Sequence, residues 1–295
     1  MITKLRLQNF KAWRDTGEIR MAPLTVFFGA NSSGKSSISQ FLLMLKQTVQ
    51  LSDTQRVLHP GDKFTAIDMG TYKDMVNEHD ETRSIGFDLK WTLPANIEVK
   101  NPLSTQAFLG SSIKFGAEVG VIGNGNKRMV VQKMEYTIEG AKNPCLAVGM
   151  KRRSSIKDEY ELNSTGYDFV RNQGRVWPLR SPVRFYGFPD DIIVYYQNAE
   201  FLRKLNLAIE DCLKHVHYLG PLRHRPERSY TWSGENPDDV GFAGENAIKA
   251  MLSASDRKIS RGPNKRTKAF RIMIAEWLKD LKLIESHPIA IRQCA

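Results

Sequence analysis

Residues 29–36 have the spacing of a phosphate-binding loop, Gly29-x-x-x-x-Gly34-Lys35-Ser36. Glycines let the backbone bend so that successive N–H groups point at one anion, and a following helix adds its positive N-terminal dipole. In this chemistry the ammonium of Lys35 reaches the β- and γ-phosphates, and the hydroxyl of Ser36 is a ligand of Mg²⁺. We therefore predict that ATP and Mg²⁺ bind through Gly29, Ala30, Asn31, Ser32, Ser33, Gly34, Lys35, Ser36 and Ser37. The alternative is that a glycine-rich link between a strand and a helix is only a turn.

The sequence around the loop predicts the two elements that would position it. The apolar run Leu24–Phe28 before the loop predicts a buried strand, and after the loop apolar residues recur at helical spacing from Ile38 to Val49. Further upstream, Leu5 and Leu7 alternate with polar residues, which predicts a strand with one wet face, and a second short strand is predicted at 18–21.

Composition limits the class of protein. A chain of 295 residues with 41% hydrophobic content can build a globular core. Its apolar runs are too short for a membrane span, and its N-terminus lacks a signal-peptide core, so we predict a cytoplasmic protein without membrane contact. The three cysteines are far apart and show no C-x-x-C spacing, so neither a disulfide framework nor a zinc site is indicated.

The net charge of +11 makes a polyanionic partner such as nucleic acid plausible. Basic residues can also simply solvate the surface, and the sequence does not show that they share a face. The candidates for nucleic-acid contact follow a Gly-Pro turn or lie in a basic stretch, and they are Arg223, Arg225, Arg228, Lys265 and Arg266. The first three arginines could equally be held by Glu227 and Glu235.

The remaining pattern divides the chain into three parts. Residues 1–80 are predicted to form the nucleotide-binding core, and residues 81–198 an antiparallel β-subdomain because β-rich segments alternate there with turn residues. Residues 199–295 are predicted to be helical and basic. Within this third part, helical periodicity is clearest at 200–214 and 270–281.

Two segments resemble a known group of proteins. The stretch Ile2–Trp13, taken with Pro23–Val26 and the loop, is similar to the opening of bacterial ATP-binding-cassette-type ATPases of the SMC, RecF and OLD group. The stretch Tyr218–Tyr230 is similar to a segment in one bacterial branch of these ATPases. The resemblance implies an α/β fold, the ABC-type head lobe of a P-loop NTPase, with a mixed sheet, an antiparallel β-subdomain and C-terminal helices.

The same resemblance implies partners and roles. Lys11 and Trp13 would lie near the nucleotide, with Lys11 approaching phosphate. Heads of this type would join as a homodimer or larger oligomer, and their engagement would act on DNA or on an effector such as a nuclease, in DNA repair or phage defence. Lys11 could instead be an exposed lysine, and Trp13 a residue at the edge of the core.

The acidic residues that hydrolysis needs are not evident. The Walker B pattern is an apolar strand that ends in Asp-Glu, and we find none in the sequence. We also find no signature motif of the Ser-Gly-Gly-Gln type. In the resembled group both motifs come after the position where this sequence ends, and the likeness stops before the second lobe, so we expect that this lobe is missing and that the chain hydrolyses ATP poorly alone. A second chain carrying Walker B would complete it. The alternatives are a regulatory or interaction subunit of a split ATPase that binds ATP without hydrolysing it, and a small-molecule kinase, which the antiparallel region disfavours.

Overall fold

The computed structural model describes residues 1–101, 103, 107–123, 125–140, 146–153, 158–174, 177–237, 239–260, 262 and 266–284. The chain divides into two compact units, Met1–Val216 and His217–Ala295. Among the described residues, no helix combines the length and the apolar character needed to cross a membrane.

An antiparallel sheet dominates the first unit. Its strands are β1 (Ile2–Phe10), β2 (Trp13–Asp15), β3 (Ile19–Arg20), β4 (Ile85–Lys100), β5 (Ala107–Ile122), β6 (Arg128–Glu139), β7 (Leu146–Arg152) and β8 (Tyr160–Thr165). Their order is β2-β1-β4-β5-β6-β7-β8, and β3 pairs with β1. The antiparallel strands and the short strand near residue 20 predicted from the sequence are therefore present. Because β1 pairs with β4, the sheet joins residues from the first two predicted parts of the chain.

The described part of the first unit also contains four α-helices. They are α1 (Lys35–Gln50), α2 (Tyr72–Met75), α3 (Asp191–Tyr195) and α4 (Phe201–Lys214). Phe41 of α1 is fully buried and its ring lies 4.9 Å from the rings of both Phe10 and Phe87. Phe87 continues the cluster to Phe115 and Phe185. The apolar positions of α1 thus fix the helix against β1 and β4, as its periodicity predicts.

The predicted strand at Leu24–Phe28 is wrong for the described structure. This segment is not in a ladder, and the side chains of Leu24, Val26 and Phe28 are 82%, 59% and 90% exposed. A strand needs a neighbour for its backbone groups, and no backbone hydrogen bond joins residues 23–28 to the described part of the chain. For the same reason the predicted mixed sheet is not observed: each pairing of the described strands is antiparallel.

The second unit contains short elements. These are α5 (Ala247–Ala254), the antiparallel pair β9 (Lys258–Ile259) and β10 (Lys268–Ala269), and α6 (Phe270–Asp280). The helix predicted at 270–281 is confirmed, but of its apolar stripe only Met273 is buried, and Trp277 and Leu281 are exposed. Residues 217–237 have no regular structure and are mostly exposed.

Candidate nucleotide-binding site

The loop that precedes α1 depends on glycine at both of its ends. Gly29 has a φ of 152° and Gly34 a φ of 87°, values that L side chains rarely adopt. Ser32, between them, also has a positive φ of 63°. A Cβ atom on Gly34 would lie 2.7 Å from Nε1 of Trp13, so the space beside this residue is filled as well. The motif therefore reflects a backbone shape that other residues would strain.

The N-terminus of α1 is available to an anion. Its N-cap is Gly34, which has no side chain to accept from the first-turn N–H groups, and the first turn contains no acidic residue. Of the first-turn N–H groups, that of Ser37 donates to the carbonyl oxygen of Gly34 at 3.1 Å, and the part of the chain that the structure describes gives no internal acceptor for those of Lys35 and Ser36. Uncapped N–H groups and the helix dipole favour negative charge at this position. The geometry fits a phosphate group.

Lys35 lies across the loop. Its Nζ donates to the carbonyl oxygens of Gly29 at 2.7 Å and Ala30 at 2.5 Å. One positive charge is therefore held between the start of the loop and the start of the helix. An ammonium in this position can exchange carbonyl partners for phosphate oxygens, which are stronger acceptors because they carry charge.

The serines after Lys35 differ in exposure. Ser36 is exposed at the first turn of α1, whereas Ser37 is buried. The hydroxyl of Ser36 is therefore open to solvent, and a hydroxyl oxygen suits Mg²⁺, an ion that typically combines few protein oxygens with phosphate oxygens and water. Among the described residues, no group of three or more His, Cys, Asp and Glu side chains could hold a metal. The residues present fit Mg²⁺ carried in with a nucleotide.

The hairpin between β1 and β2 brings Lys11 and Trp13 to the loop and α1. Phe10 pairs with Trp13, and Lys11 at the tip has a φ of 47°. The indole Nε1 of Trp13 donates to the carbonyl oxygen of Gly34 at 3.0 Å. Nζ of Lys11 donates to Oε1 of Gln40 on α1 at 3.2 Å. Both hairpin residues singled out in the sequence thus contact the loop or its helix.

Burial affects the charge of Lys11. Removal from water lowers the pKa of its ammonium. The carboxylate of Asp74 has the opposite and smaller effect, so the pKa of Lys11 lies below its ordinary value. Asp74 itself accepts hydrogen bonds from the N–H and hydroxyl of Thr71, which lower the pKa of its carboxyl group. Lys11 is consequently a partly desolvated cation beside α1.

Residues 75–77 hold the hairpin tip from the other side. The N–H of Lys11 donates to the carbonyl oxygen of Met75, and Nδ2 of Asn77 donates to the carbonyl oxygen of Lys11, both at 2.7 Å. Sequence reasoning missed Asn77 and Gln40 as parts of the site. A lone amide on a helix and another after a short turn give no local signal, because their role depends on contacts between distant segments.

The nucleic-acid candidates belong to the second unit. Arg223, Arg225 and Arg228 are exposed in its irregular segment, and Arg266 is exposed before β10, whereas Lys265 lies outside the described residues. The guanidinium of Arg223 donates to the carbonyl oxygen of Gly220.

The acidic neighbours do not neutralise these arginines. Glu235 forms its ion pair with Lys249 at 2.6 Å. In the described part of the chain, no ion pair joins Glu227 or Glu235 to Arg223, Arg225 or Arg228. The positive charges of this segment therefore face solvent.

Comparison with known proteins gives one result. A family model described as AAA ATPase domain matches residues 1–163, which include the hairpin, the phosphate loop, α1 and the strands β1 to β7. No curated protein is significantly similar to the chain. The match covers more than half of the sequence.

Proposed function

Since the chain belongs to the family of AAA ATPase domains, we propose that residues 29–37 bind ATP together with Mg²⁺ and that binding controls the engagement of this head with a partner. The observation that carries the proposal is the loop itself: glycines with positive φ at both ends, an uncapped helix N-terminus and the ammonium of Lys35 across the loop. Lys11 is proposed to add a second positive charge toward the phosphates, with Ser36 as the ligand of Mg²⁺.

Calorimetric titration with magnesium and a non-hydrolysable ATP analogue tests nucleotide binding. Wild-type protein should give a saturable heat signal, and Lys35→Ala should weaken it. A matched control is Lys63→Ala, which removes an exposed lysine outside the loop and should leave the affinity unchanged. Equal binding by wild type and Lys35→Ala would contradict the proposed site.

We place the chain in the SMC, RecF and OLD group, as an ATPase head coupled to DNA or to a nuclease effector in DNA repair or phage defence. The N-terminal motif and the segment Tyr218–Tyr230 support this assignment. In this proposal the head joins a second copy of itself, and a second chain carrying Walker B contributes the acid that hydrolysis needs. The test is whether the nucleotide analogue raises the mass of the particle in light scattering, which a head that never dimerises would not show.

DNA contact is proposed through Arg223, Arg225, Arg228, Lys265 and Arg266. Exposed arginines that are close in sequence to exposed aromatic residues such as Trp232 suit phosphate contact combined with stacking. Replacing Arg223, Arg225 and Arg228 together by alanine should weaken binding of a labelled DNA and flatten its salt dependence. Unchanged binding and salt dependence would contradict this part of the proposal.

The second candidate is a regulatory or interaction subunit of a split ATPase that binds ATP without hydrolysing it. The exposed apolar run Leu24–Phe28 beside the loop favours it, since this surface suits contact with another polypeptide. A partner complex that forms equally well with Lys35→Ala would support this candidate. Hydrolysis by the isolated chain at rates typical of an enzyme would contradict it.

A further inference from the structure

We propose that Trp13 is a positioning residue for nucleotide binding, because its indole N–H fixes the peptide between Gly34 and Lys35 in the orientation that an incoming phosphate requires. This inference rests on the proposed function of the loop and adds a residue outside the loop to that site. Trp13 is not proposed to touch the nucleotide; it acts through Gly34.

The carbonyl oxygen of Gly34 accepts two hydrogen bonds. One comes from the indole Nε1 of Trp13 at 3.0 Å, and the other from the N–H of Ser37 at 3.1 Å. A carbonyl oxygen has two lone pairs, so it can accept from the hairpin and from the helix at the same time. The direction of this C=O bond is therefore set from two sides, by the hairpin and by the first turn of α1.

The direction of this carbonyl also sets the N–H of Lys35. The peptide bond is planar and trans, so its N–H points away from its C=O. With the carbonyl turned toward Trp13 and Ser37, the N–H of Lys35 points in the opposite direction within the same peptide plane. Orienting this donor before binding lowers the ordering cost of binding an anion.

The indole of Trp13 is itself held firmly. Phe10, its partner across the hairpin, is fully buried, and the ring of Phe10 lies 4.9 Å from that of Phe41 on α1. The tip of the hairpin is tied to residues 75–77 through both backbone groups of Lys11. The indole also fills the space beside Gly34, where an added Cβ would lie 2.7 Å from Nε1. The half-buried ring of Trp13 is thereby placed with its N–H against the start of α1.

Replacement of Trp13 by phenylalanine removes the N–H donor and keeps an aromatic ring. The matched control is Trp232→Phe, because Trp232 makes the same kind of bond, from its indole Nε1 to the carbonyl oxygen of Glu235 at 2.7 Å, in the second unit. The probe is magnesium with a non-hydrolysable ATP analogue, titrated into the full chain by calorimetry. Trp13→Phe should raise the Kd about fivefold, as expected for one hydrogen bond, and Trp232→Phe should change it less than about twofold.

A spectroscopic measurement separates positioning from general stability. In a nitrogen-15 spectrum, the indole N–H resonance that is absent from Trp13→Phe is assigned to Trp13. In wild type this resonance should shift when the nucleotide analogue is added. The thermal midpoint of Trp13→Phe is measured alongside, so that a loss of affinity in a folded variant is recognised as such.

The outcomes are distinguishable. Wild-type affinity in a folded Trp13→Phe, or a Trp13 indole resonance that does not respond to the analogue, overturns the inference and leaves the proposed function standing. Absence of binding by wild type overturns both. Should Trp13→Phe fail to fold, the wild-type spectrum decides, with the resonance assigned through its proximity to Gly34: a shift supports positioning and an unchanged resonance contradicts it.

Discussion

Nζ of Lys35 lies 2.7 Å from the carbonyl oxygen of Gly29, so the side chain at the end of the phosphate loop closes back on the residue that begins it. This contact places the half-exposed ammonium of Lys35 against the first residues of the loop. The carbonyls of Gly29 and Ala30 are neutral acceptors, and phosphate oxygens would compete with them for the ammonium. Lys35 thereby links the folded shape of the loop to its affinity for an anion.

Two substitutions of Lys35 distinguish the effect of its charge on nucleotide binding from the effect of the shape of its side chain. Lys35→Ala should weaken binding of the magnesium–nucleotide complex about 10- to 100-fold, the range expected from losing a hydrogen bond to a charged group. Lys35→Arg should weaken binding less, because the charge remains although the shape of the donor changes. Calorimetric titration gives both values. Arginine and alanine variants with equal affinity would show that the charge is not what matters.

Gly34→Ala should destabilise the fold and weaken nucleotide binding together. Alanine at a φ of 87° is strained, and its Cβ would also collide with the indole of Trp13. Gly17→Ala is the control, since Gly17 has a φ of 62° with no atom within 4 Å of an added Cβ. We expect Gly17→Ala to cost about 1–2 kcal/mol of unfolding free energy for the backbone strain alone, and Gly34→Ala to cost more. Urea denaturation measures this difference, and equal costs would contradict the collision.

Tyr72→Phe should destabilise the first unit. The hydroxyl of Tyr72 lies 2.8 Å from the carbonyl oxygen of Arg83 and 3.0 Å from that of Val119, and it accepts from the N–H of Ile85. Burial raises the pKa of this hydroxyl to about 12, so it remains a donor at neutral pH. Its removal should cost about 1–3 kcal/mol, because buried polar groups lose a partner. Chemical denaturation measures the cost, with Tyr230→Phe as the control at an exposed hydroxyl that accepts from the N–H of Glu227.

Stability in acid should depend on Asp74. Hydrogen bonds from Thr71 lower the pKa of this carboxyl group below its ordinary value of 3.8. A group with a lowered pKa in the folded state stabilises the fold above its ordinary pKa, and this contribution disappears as the pH falls through the folded pKa. Wild type should therefore lose more stability than Asp74→Asn as the pH falls below 3.8.

The matched variant for this acid effect is Thr71→Val, which removes the hydroxyl donor and keeps the backbone N–H donor to Asp74. Its acid dependence should lie between those of wild type and Asp74→Asn. Unfolding midpoints measured across the acid range give all three curves. Parallel curves for wild type and Asp74→Asn would show that Asp74 does not contribute.

The phosphate loop could be predicted from sequence because it is local. Its glycines, Lys35 and Ser36 are consecutive or nearly so, and the periodicity of α1 follows from residues within one helix. The antiparallel strands after residue 82 were equally accessible, since alternation and turn residues are local signals. These features need no knowledge of what the chain touches elsewhere.

Non-local contacts set the limit of that reasoning. Leu24–Phe28 has a strand-like composition, yet a strand also needs a neighbour, and the described residues provide none. The bond from Trp13 to Gly34 and the support of Lys11 by Asn77 join segments 21 and 66 residues apart. Lys11 and Trp13 could be placed near the loop only through the resemblance to a known group of proteins. The spacing of residues in the sequence offered no reason to include Gln40 or Asn77.

The central claim is that the loop 29–37 holds a magnesium–nucleotide complex. Calorimetry of the folded full chain with magnesium and a non-hydrolysable ATP analogue, up to about 1 mM ligand, tests it most directly. The account predicts a saturable one-site isotherm that Lys35→Ala weakens and Lys63→Ala leaves unchanged. No heat of binding to protein shown to be folded, or an isotherm unaffected by Lys35→Ala, would contradict it.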